Sequence, residues 1–394
     1  MGFWYPYYML TYHTAIIGAG ASGLFCAGSF ATPKIIIDHN KIPGVKVGIS
    51  GGGKCNFSNI SVTAADYQSQ SKHFCKNALA AFKPQDFITL LEQAGIAYEQ
   101  RAHGQLFAKN AQDIVQFLVY RAKTQNTDFA LKTEVLDIQK KDEEFIVRTS
   151  AGTIQARHVV LACGGLSYPA LGASSFGIKI ARQFELNVIE QRPALCGLSV
   201  PKELRPICKM LVGNSTLAQV STGKHTFTEQ LLFTHEGFSG PAVLPVSLFW
   251  SEGEKVRINF LPDIEALSLF YKQKNTSKKM STLLPFTGKI GAVLLGQLDK
   301  PLSNATKTDL EQASRHLNAF EFIPAGTAGY TKAEVTAGGI DTREINPSTF
   351  EVKKVSGLFV TGELLDVTGR LGGYNLHWAW SSAYCTAQKL IKKI

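Results

Sequence analysis

The residues whose types and spacing could do chemistry begin between Thr14 and Asp38. An apolar run, Ala15-Ile16-Ile17, leads into a G-x-G-x-x-G at Gly18, Gly20 and Gly23, with the small residues Ala19, Ala21 and Ser22 between them. A second apolar run, Ile35-Ile36-Ile37, ends in a single acid, Asp38, 20 residues (38 − 18) after the first glycine. Strand, glycine turn, helix, strand and acid in that spacing are what a dinucleotide-binding βαβ unit requires. Gly18 permits the tight turn, Gly20 lets the backbone approach a pyrophosphate, and Gly23 lets the helix lie close to the sheet. The N–H groups and dipole at the helix start favour the phosphate charge. Asp38 can accept ribose hydroxyls and would repel a 2′-phosphate. NADP is therefore disfavoured, and FAD or NAD remains.

Three further segments carry ligand-binding chemistry. In Ile49-Ser50-Gly51-Gly52-Gly53-Lys54-Cys55-Asn56, consecutive glycines can align N–H donors into an anion-binding nest, with Lys54 and the upstream Lys46 adding positive charge. Ala162-Cys163-Gly164-Gly165 follows the apolar run Val159-Val160-Leu161, so small residues at a strand end admit a planar ligand. Near the C-terminus, Leu358 to Glu363 delivers a Gly362-Glu363 pair, followed by Asp366 and then Arg370-Leu371-Gly372-Gly373-Tyr374-Asn375-Leu376 opening a helix. The positive end of that helix, aimed at a flavin's N1 and O2 edge, would stabilise the anionic reduced ring. His377, His103 and His235 are better explained as structural histidines, and Cys55 and Cys163 as small buried residues.

The elements that must position these residues follow from periodicity. Residues 44 to 59 read as a polar loop. Helical spacing occurs at 84 to 94, 111 to 123 and 176 to 184. Strand-like runs occupy Leu131 to Ile138, Glu144 to Thr149, Thr153 to Gln155 and Val159 to Ala162, a three-stranded antiparallel meander beside the nucleotide fold. Residues 191 to 260 read as short strands, and 263 to 316 as helical. The expected architecture is α/β: a discontinuous Rossmann domain, 1–190 and 336–394, interrupted by a β-barrel insertion, 191–262 plus 317–335, with a helical subdomain at 263–316.

Composition bounds the class. A chain of 394 residues with 45% hydrophobic and 18% charged residues suits a soluble protein of two or three domains. No run approaches the apolar length of a membrane span. The aromatic N-terminus, MGFWYPYYMLTYH, lacks a secretory pattern. It reads as a short extension beside the first strand or as residues ahead of the true start. Seven cysteines without a C-x-x-C argue against a disulfide framework, a zinc site and a redox dithiol, and make a reducing cytoplasm the simplest setting. No metal cluster is expected. The formal charge is +10, but the lysines are scattered. The densest patches, Tyr271 to Lys279 and Lys389 to Lys393, read as solvated faces in preference to a nucleic-acid footprint.

Taken together, GAGASG, ISGGGKCNFSN, ACGGLSYPALGASSFG, LLFTHEGFSGPAVL and GELLDVTGRLGGYNLHWAWSSA resemble the BaiN/YhiN-like flavoproteins, FAD-dependent oxidoreductases that include aminoacetone-oxidase-like members. The resemblance implies a glutathione-reductase-type FAD domain with a β-barrel insertion and a small helical domain. It implies FAD contacts at Gly18 to Gly23, Asp38 with its neighbour His39, Lys46, Ser50 to Asn56, Val135, Ala162, Cys163, Gly164, Gly362, Glu363, Asp366 and Gly372 to Leu376. Four positions depart from the family pattern. Asp38 stands for a usual Glu, Val45 for the Arg of a Gly-Arg-Lys, Lys54 for Arg and Glu236 for an apolar residue. Lys54 keeps the charge and loses bidentate geometry.

The flavin would carry two-electron or hydride transfer with a small organic substrate. The insertion has no second G-x-G-x-x-G, because Gly288, Gly291 and Gly296 are wrongly spaced. Two enzyme readings stay open: an oxidase, or a reductase fed by NAD(P)H that docks transiently without its own Rossmann unit. Two other classes also stay open: a flavin-containing RNA-binding or tRNA-modifying factor, suited to the basic charge, and a non-catalytic redox sensor.

Overall fold

The two apolar runs flanking the glycine turn form adjacent parallel strands, β1 (Leu10–Ile17) and β2 (Lys34–Asp38), joined through helix α1 (Ala21–Ala27). The computed structural model describes residues 10–392, so most of the aromatic N-terminal extension lies outside the described residues. Within them the chain divides into two compact units, residues 10–192 with 335–392 and residues 193–334.

The first unit is built on one mixed sheet. The strands β3 (Thr127–Leu131), β2, β1, β6 (Gly152–Leu161) and β7 (Leu358–Val360) run parallel in that order. Ala15, Ile16, Ile36, Ile37, Val159, Val160 and Val360 are all wholly buried, as expected of a parallel sheet covered on both faces. The strands β4 (Val135–Lys141) and β5 (Glu144–Thr149) continue antiparallel from β6.

Two strand boundaries differ from the sequence reading. The runs 153–155 and 159–162 are one strand, β6. Its polar middle, Arg157-His158, marks where its neighbour changes from β5, paired to residues 152–156, to β7, paired to 159–161. Conversely, the run Leu131 to Ile138 is broken at Lys132, whose φ is 55°. There the chain turns over the end of β2, with the Thr133 N–H donating to the Asp38 carbonyl at 3.0 Å.

The segment 44 to 59 also differs. It is not a plain loop but helix α2 (Val45–Gly53), interrupted at its glycines, followed by the strand Asn56–Asn59. Packing against helix Ala111–Thr124 overrides the poor helix propensity of a glycine-rich run: Val115 and Gln112 lie where side chains at Gly44 and Gly48 would stand. The long C-terminal helix α3 (Tyr374–Ile391) crosses behind α1. Its Trp380 stacks on Phe87 at 4.9 Å and donates its indole N–H to the Phe57 carbonyl at 2.9 Å, so this helix is pinned deep in the core.

The second unit holds a seven-stranded antiparallel sheet. Its order is Phe320–Phe322, Val256–Asn259, Ser215–Thr222, His225–Phe233, Gly237–Ser239, Leu198–Ser199 and Gly326–Thr327. Among the described residues no ladder joins the first strand to the last, so the expected barrel is not closed by hydrogen bonds. The two end strands are joined by a short link of chain. Phe322 and Gly326 lie on the two end strands and are four residues apart, so they are at most about 14 Å from each other. Pro324, without an N–H, sits in that link. Phe238 meets Phe322 across the interior at 5.4 Å, and the curled sheet encloses a separate core with helices Ala266–Lys272, Ile290–Leu295 and Lys307–Asn318. Two short helices, Arg205–Met210 and Leu244–Phe249, also interrupt the stretch read as strands alone.

Candidate functional site

All five parallel strands deliver their C-terminal ends to one edge of the sheet. There β1 leads into Gly18, β2 ends at Asp38, β6 leads into Ala162 and β7 into Thr361-Gly362-Glu363. This is where ligands bind in open α/β sheets.

The glycine turn has three distinct environments. A side chain at Gly18 (φ 111°) would strike the Ala162 carbonyl oxygen at 2.5 Å. One at Gly23 would meet the Gly18 carbonyl oxygen at 2.0 Å, so α1 rests directly on the turn. At Gly20 no protein atom lies within 4 Å of that position. The turn is thus closed on the protein side and open at its middle glycine, the shape of a pyrophosphate cradle. The Asp38 carboxylate is fixed beside it: Oδ2 accepts from the Ala19 N–H at 2.6 Å and Oδ1 from the Asn40 N–H at 2.7 Å. His39 is half exposed, with Nδ1 4.0 Å from Asp38 Oδ1.

Contacts link this turn to the other segments of the unit. Ser22 Oγ lies 2.7 Å from where a side chain at Gly362 would stand. The Gly362 N–H donates to Ser382 Oγ at 3.0 Å, and its carbonyl accepts from the Trp378 indole at 3.0 Å, fixing the end of β7 to α3. Lys46 of α2 pairs with Glu363 at 2.9 Å. The triple-glycine segment has left-handed backbone at Gly51 (φ 57°, ψ 32°) and Gly52 (φ 67°, ψ 35°), and Ser50 to Lys54 line the surface with the three glycines and Lys54 exposed. Asn56, with its amide oxygen toward the Gly373 N–H (3.1 Å) and its nitrogen toward the Leu106 and Ser58 carbonyls, joins that segment to the start of α3.

Other nominated residues lie away from an open face. Val135 begins β4 in the core. Cys55 is wholly buried, and burial pushes its thiol up to about 12. Cys163 is half-buried, with its thiol 3.6 Å from the Ile17 carbonyl oxygen. Burial first, and the nearby Asp38 charge second, push it up to about 12. Asp366 is buried and accepts from the Gln70 N–H at 2.8 Å, and burial raises its carboxyl above the usual range. Asn375 brackets Gly369, accepting from its N–H at 2.9 Å and donating to its carbonyl at 2.8 Å. Tyr374 is buried with its hydroxyl 2.6 Å from Arg370, while Gly372 and Leu376 flank the helix start.

A sequence profile described as the HI0933-like protein Rossmann domain matches residues 12–389. The chain belongs to the HI0933-like family. This HI0933-like chain is 43% identical over 395 residues to a protein of Escherichia coli (strain K12) named ribosomal RNA dihydrouridine synthase, covering 97% of this chain and 99% of that one. It is 30% identical over 399 residues to a Clostridium scindens protein named 3-dehydro-bile acid delta(4,6)-reductase, covering 94% and 96%. A solved quinol-fumarate reductase with menaquinol molecules matches in fold, with a TM-score of 0.50 at 14% identity over 98% of this chain and 71% of that one.

The structure adds residues at this edge of the HI0933-like domain that sequence reasoning did not nominate. Thr336 receives the Leu166 and Ser167 N–H groups on its hydroxyl, at 2.8 and 3.2 Å, and donates its own N–H to Glu363 at 2.9 Å. It therefore ties the loop after β6 to the acid after β7. Tyr168, just before Pro169, has φ 61° and ψ 62°, an uncommon conformation for a residue with a side chain, and its ring lies 6.0 Å from Lys46 Nζ. The sequence signal for this loop is the segment SYPALGASSFG.

Proposed function

We propose that this chain is an FAD-dependent reductase that adds hydrogen across the C5=C6 bond of a uridine in ribosomal RNA. The observation that carries this reading is the near end-to-end 43% identity to a protein named for that product. The open middle glycine of the turn, the Asp38 carboxylate beside it and the exposed Gly51 to Gly53 backbone fit a dinucleotide with a phosphate bridge. When bound, FAD would supply the hydride. Both relatives named above carry reaction names that amount to saturating a carbon–carbon double bond conjugated to a carbonyl, which supports reduction over oxidation.

The chain's own residues would hold and orient the reactants. Gly18 to Gly23 would hold the pyrophosphate and Asp38 a ribose. Lys46, balanced by Glu363, would place positive charge at the strand ends. The exposed Gly51 to Gly53 backbone and the first turn of α3, Tyr374 to Leu376, would supply N–H donors from two directions, with Ser50, Lys54, Asn56 and Gly373 framing them. Cys55 is sealed from solvent and is not a proton donor to substrate. With no second glycine fingerprint in the chain, NAD(P)H would dock transiently as electron donor.

The test is nucleoside analysis. Ribosomal RNA from cells lacking the gene is incubated anaerobically with the FAD-loaded protein and NADH or NADPH, then digested and weighed by mass spectrometry. A gain of 2 Da on uridine is expected; unchanged RNA overturns the RNA substrate. The similarity to the bile acid reductase favours a second reading, reduction of a small steroidal enone. Turnover of such an enone with unchanged RNA would select it.

A further inference from the structure

We infer that the second unit carries an RNA-docking surface on the segment Tyr271–Lys279 and the ribbon that it forms with residues 300–303. This rests on the RNA reading above. From Ala266 to Leu298 the chain has five lysines, Lys272, Lys274, Lys278, Lys279 and Lys289, and no Asp or Glu in 33 residues. The fold gathers four of them. Lys272 ends a helix and Lys274 follows in its terminal turn. Residues 276–280 then run antiparallel to 300–303: Ser303 N–H donates to Thr276, Leu302 N–H to Lys278, and Met280 N–H to Lys300.

Three of the four acids that flank this stretch are already engaged. Upstream, Glu265 accepts from the Leu267 and Ser268 N–H groups at 3.2 and 2.5 Å, and Asp263 lies two residues before it. Downstream, Asp299 accepts from the Ser281 N–H and hydroxyl, both at 2.9 Å, and Asp309 pairs with Lys300 at 3.0 Å. Among the described residues none of the four lysines forms an ion pair within 4 Å. Three are exposed and Lys274 is half-buried, with its ammonium 5.9 Å from the ring of Tyr271, which is itself 41% exposed. Uncompensated lysines around an exposed aromatic ring match the chemistry of an RNA backbone with an unstacked base: phosphates to the ammonium groups, a base on the ring.

The experiment uses the full FAD-loaded chain and deproteinised bacterial ribosomal RNA. Binding is measured from 50 to 300 mM salt for wild type and for K272Q/K274Q/K278Q/K279Q. Each phosphate contact contributes about 0.7–0.9 to the slope of log K against log salt, so the variant is expected to lose about 3 from the slope and bind at least about tenfold more weakly at low salt. Its flavin reduction by NAD(P)H is expected to stay unchanged. Y271A is expected to weaken binding at an unchanged slope.

A charge-matched control, K123Q/K141Q/K209Q/K224Q, is expected to keep most of the affinity. Equal losses in both variants would assign the effect to net charge and overturn the proposal. An unchanged slope in the first variant, with wild type binding firmly, would also overturn it while leaving the RNA reading intact. Wild type that fails to bind RNA would overturn both.

Discussion

Lys46 Nζ lies 2.9 Å from Glu363 Oε2, a pair drawn from positions 317 residues apart that ties α2 to the end of β7. Glu363 is further held by the Thr336 N–H. Under the proposed function the two opposite charges are expected to have separable roles, one in the empty fold and one toward an anionic ligand.

The first prediction separates them. Both side chains are partly exposed, so a double-mutant cycle of K46A and E363A on cofactor-free protein should give a coupling of about 1 kcal/mol or less, read from denaturant midpoints. Retention of FAD should fall about tenfold in K46A, the loss of one charge-assisted contact. Full FAD retention in K46A would remove this lysine from the site.

Gly20 and Gly23 should respond oppositely to alanine. At Gly23 the added carbon meets the Gly18 carbonyl oxygen at 2.0 Å, so the helix must lift; about 1–3 kcal/mol of stability should go, and the flavin with it. At Gly20 the carbon meets no protein atom within 4 Å, and φ of −85° suits any residue. G20A should therefore melt within about 0.5 kcal/mol of wild type and still purify colourless. Yellow, fully loaded G20A protein would show that no phosphate bridge passes over that glycine.

What the sequence made legible is local. Gly18, Gly23 and Asp38 belong to one continuous supersecondary unit, whose turn and strand ends need only nearest neighbours along the chain. The hub at Thr336 was not legible, because its partners at 166, 167 and 363 are joined only through the fold. The continuity of β6 was hidden for a related reason: Arg157-His158 reads as a break, and only the exchange of β5 for β7 explains a polar pair inside a strand. The helical start of α2, ahead of Ser50, escaped detection because packing of Gly44 and Gly48 against Val115 and Gln112, not propensity, forms it, while Ser50 to Gly52 are themselves non-helical.

Thiol chemistry should be muted. Six of the seven cysteines are buried, and burial raises Cys26, Cys55 and Cys163 to about 12 and Cys75, Cys208 and Cys385 to about 11. Because the thiolate is the reactive form, fewer than about one thiol per chain should react with an aromatic disulfide in minutes at pH 8. All seven should react after unfolding without reductant. A thiol that reacts quickly in the native protein would mark a cysteine held in a more open environment than this fold provides.

His377 sets an acid limit on stability. It is wholly buried on α3 with Nδ1 3.0 Å from Ser58 Oγ, and burial lowers its pKa from 6.5 to about 4. In the unfolded chain the imidazole takes up a proton near 6.5; in the folded chain it resists until about 4. Between those values the unfolded state binds more protons, so stability falls as pH falls. The drop from 6.5 to about 4 corresponds to about 3 kcal/mol, all of it spent below neutral pH and none above. H377Q removes the titrating group, so its stability should be lower at pH 7 but flatter from pH 6.5 to 4.5. The measurement is the difference between wild-type and variant denaturation free energies across that window. A difference that stays constant with pH would mean that His377 titrates alike in both states and that its burial carries no acid penalty.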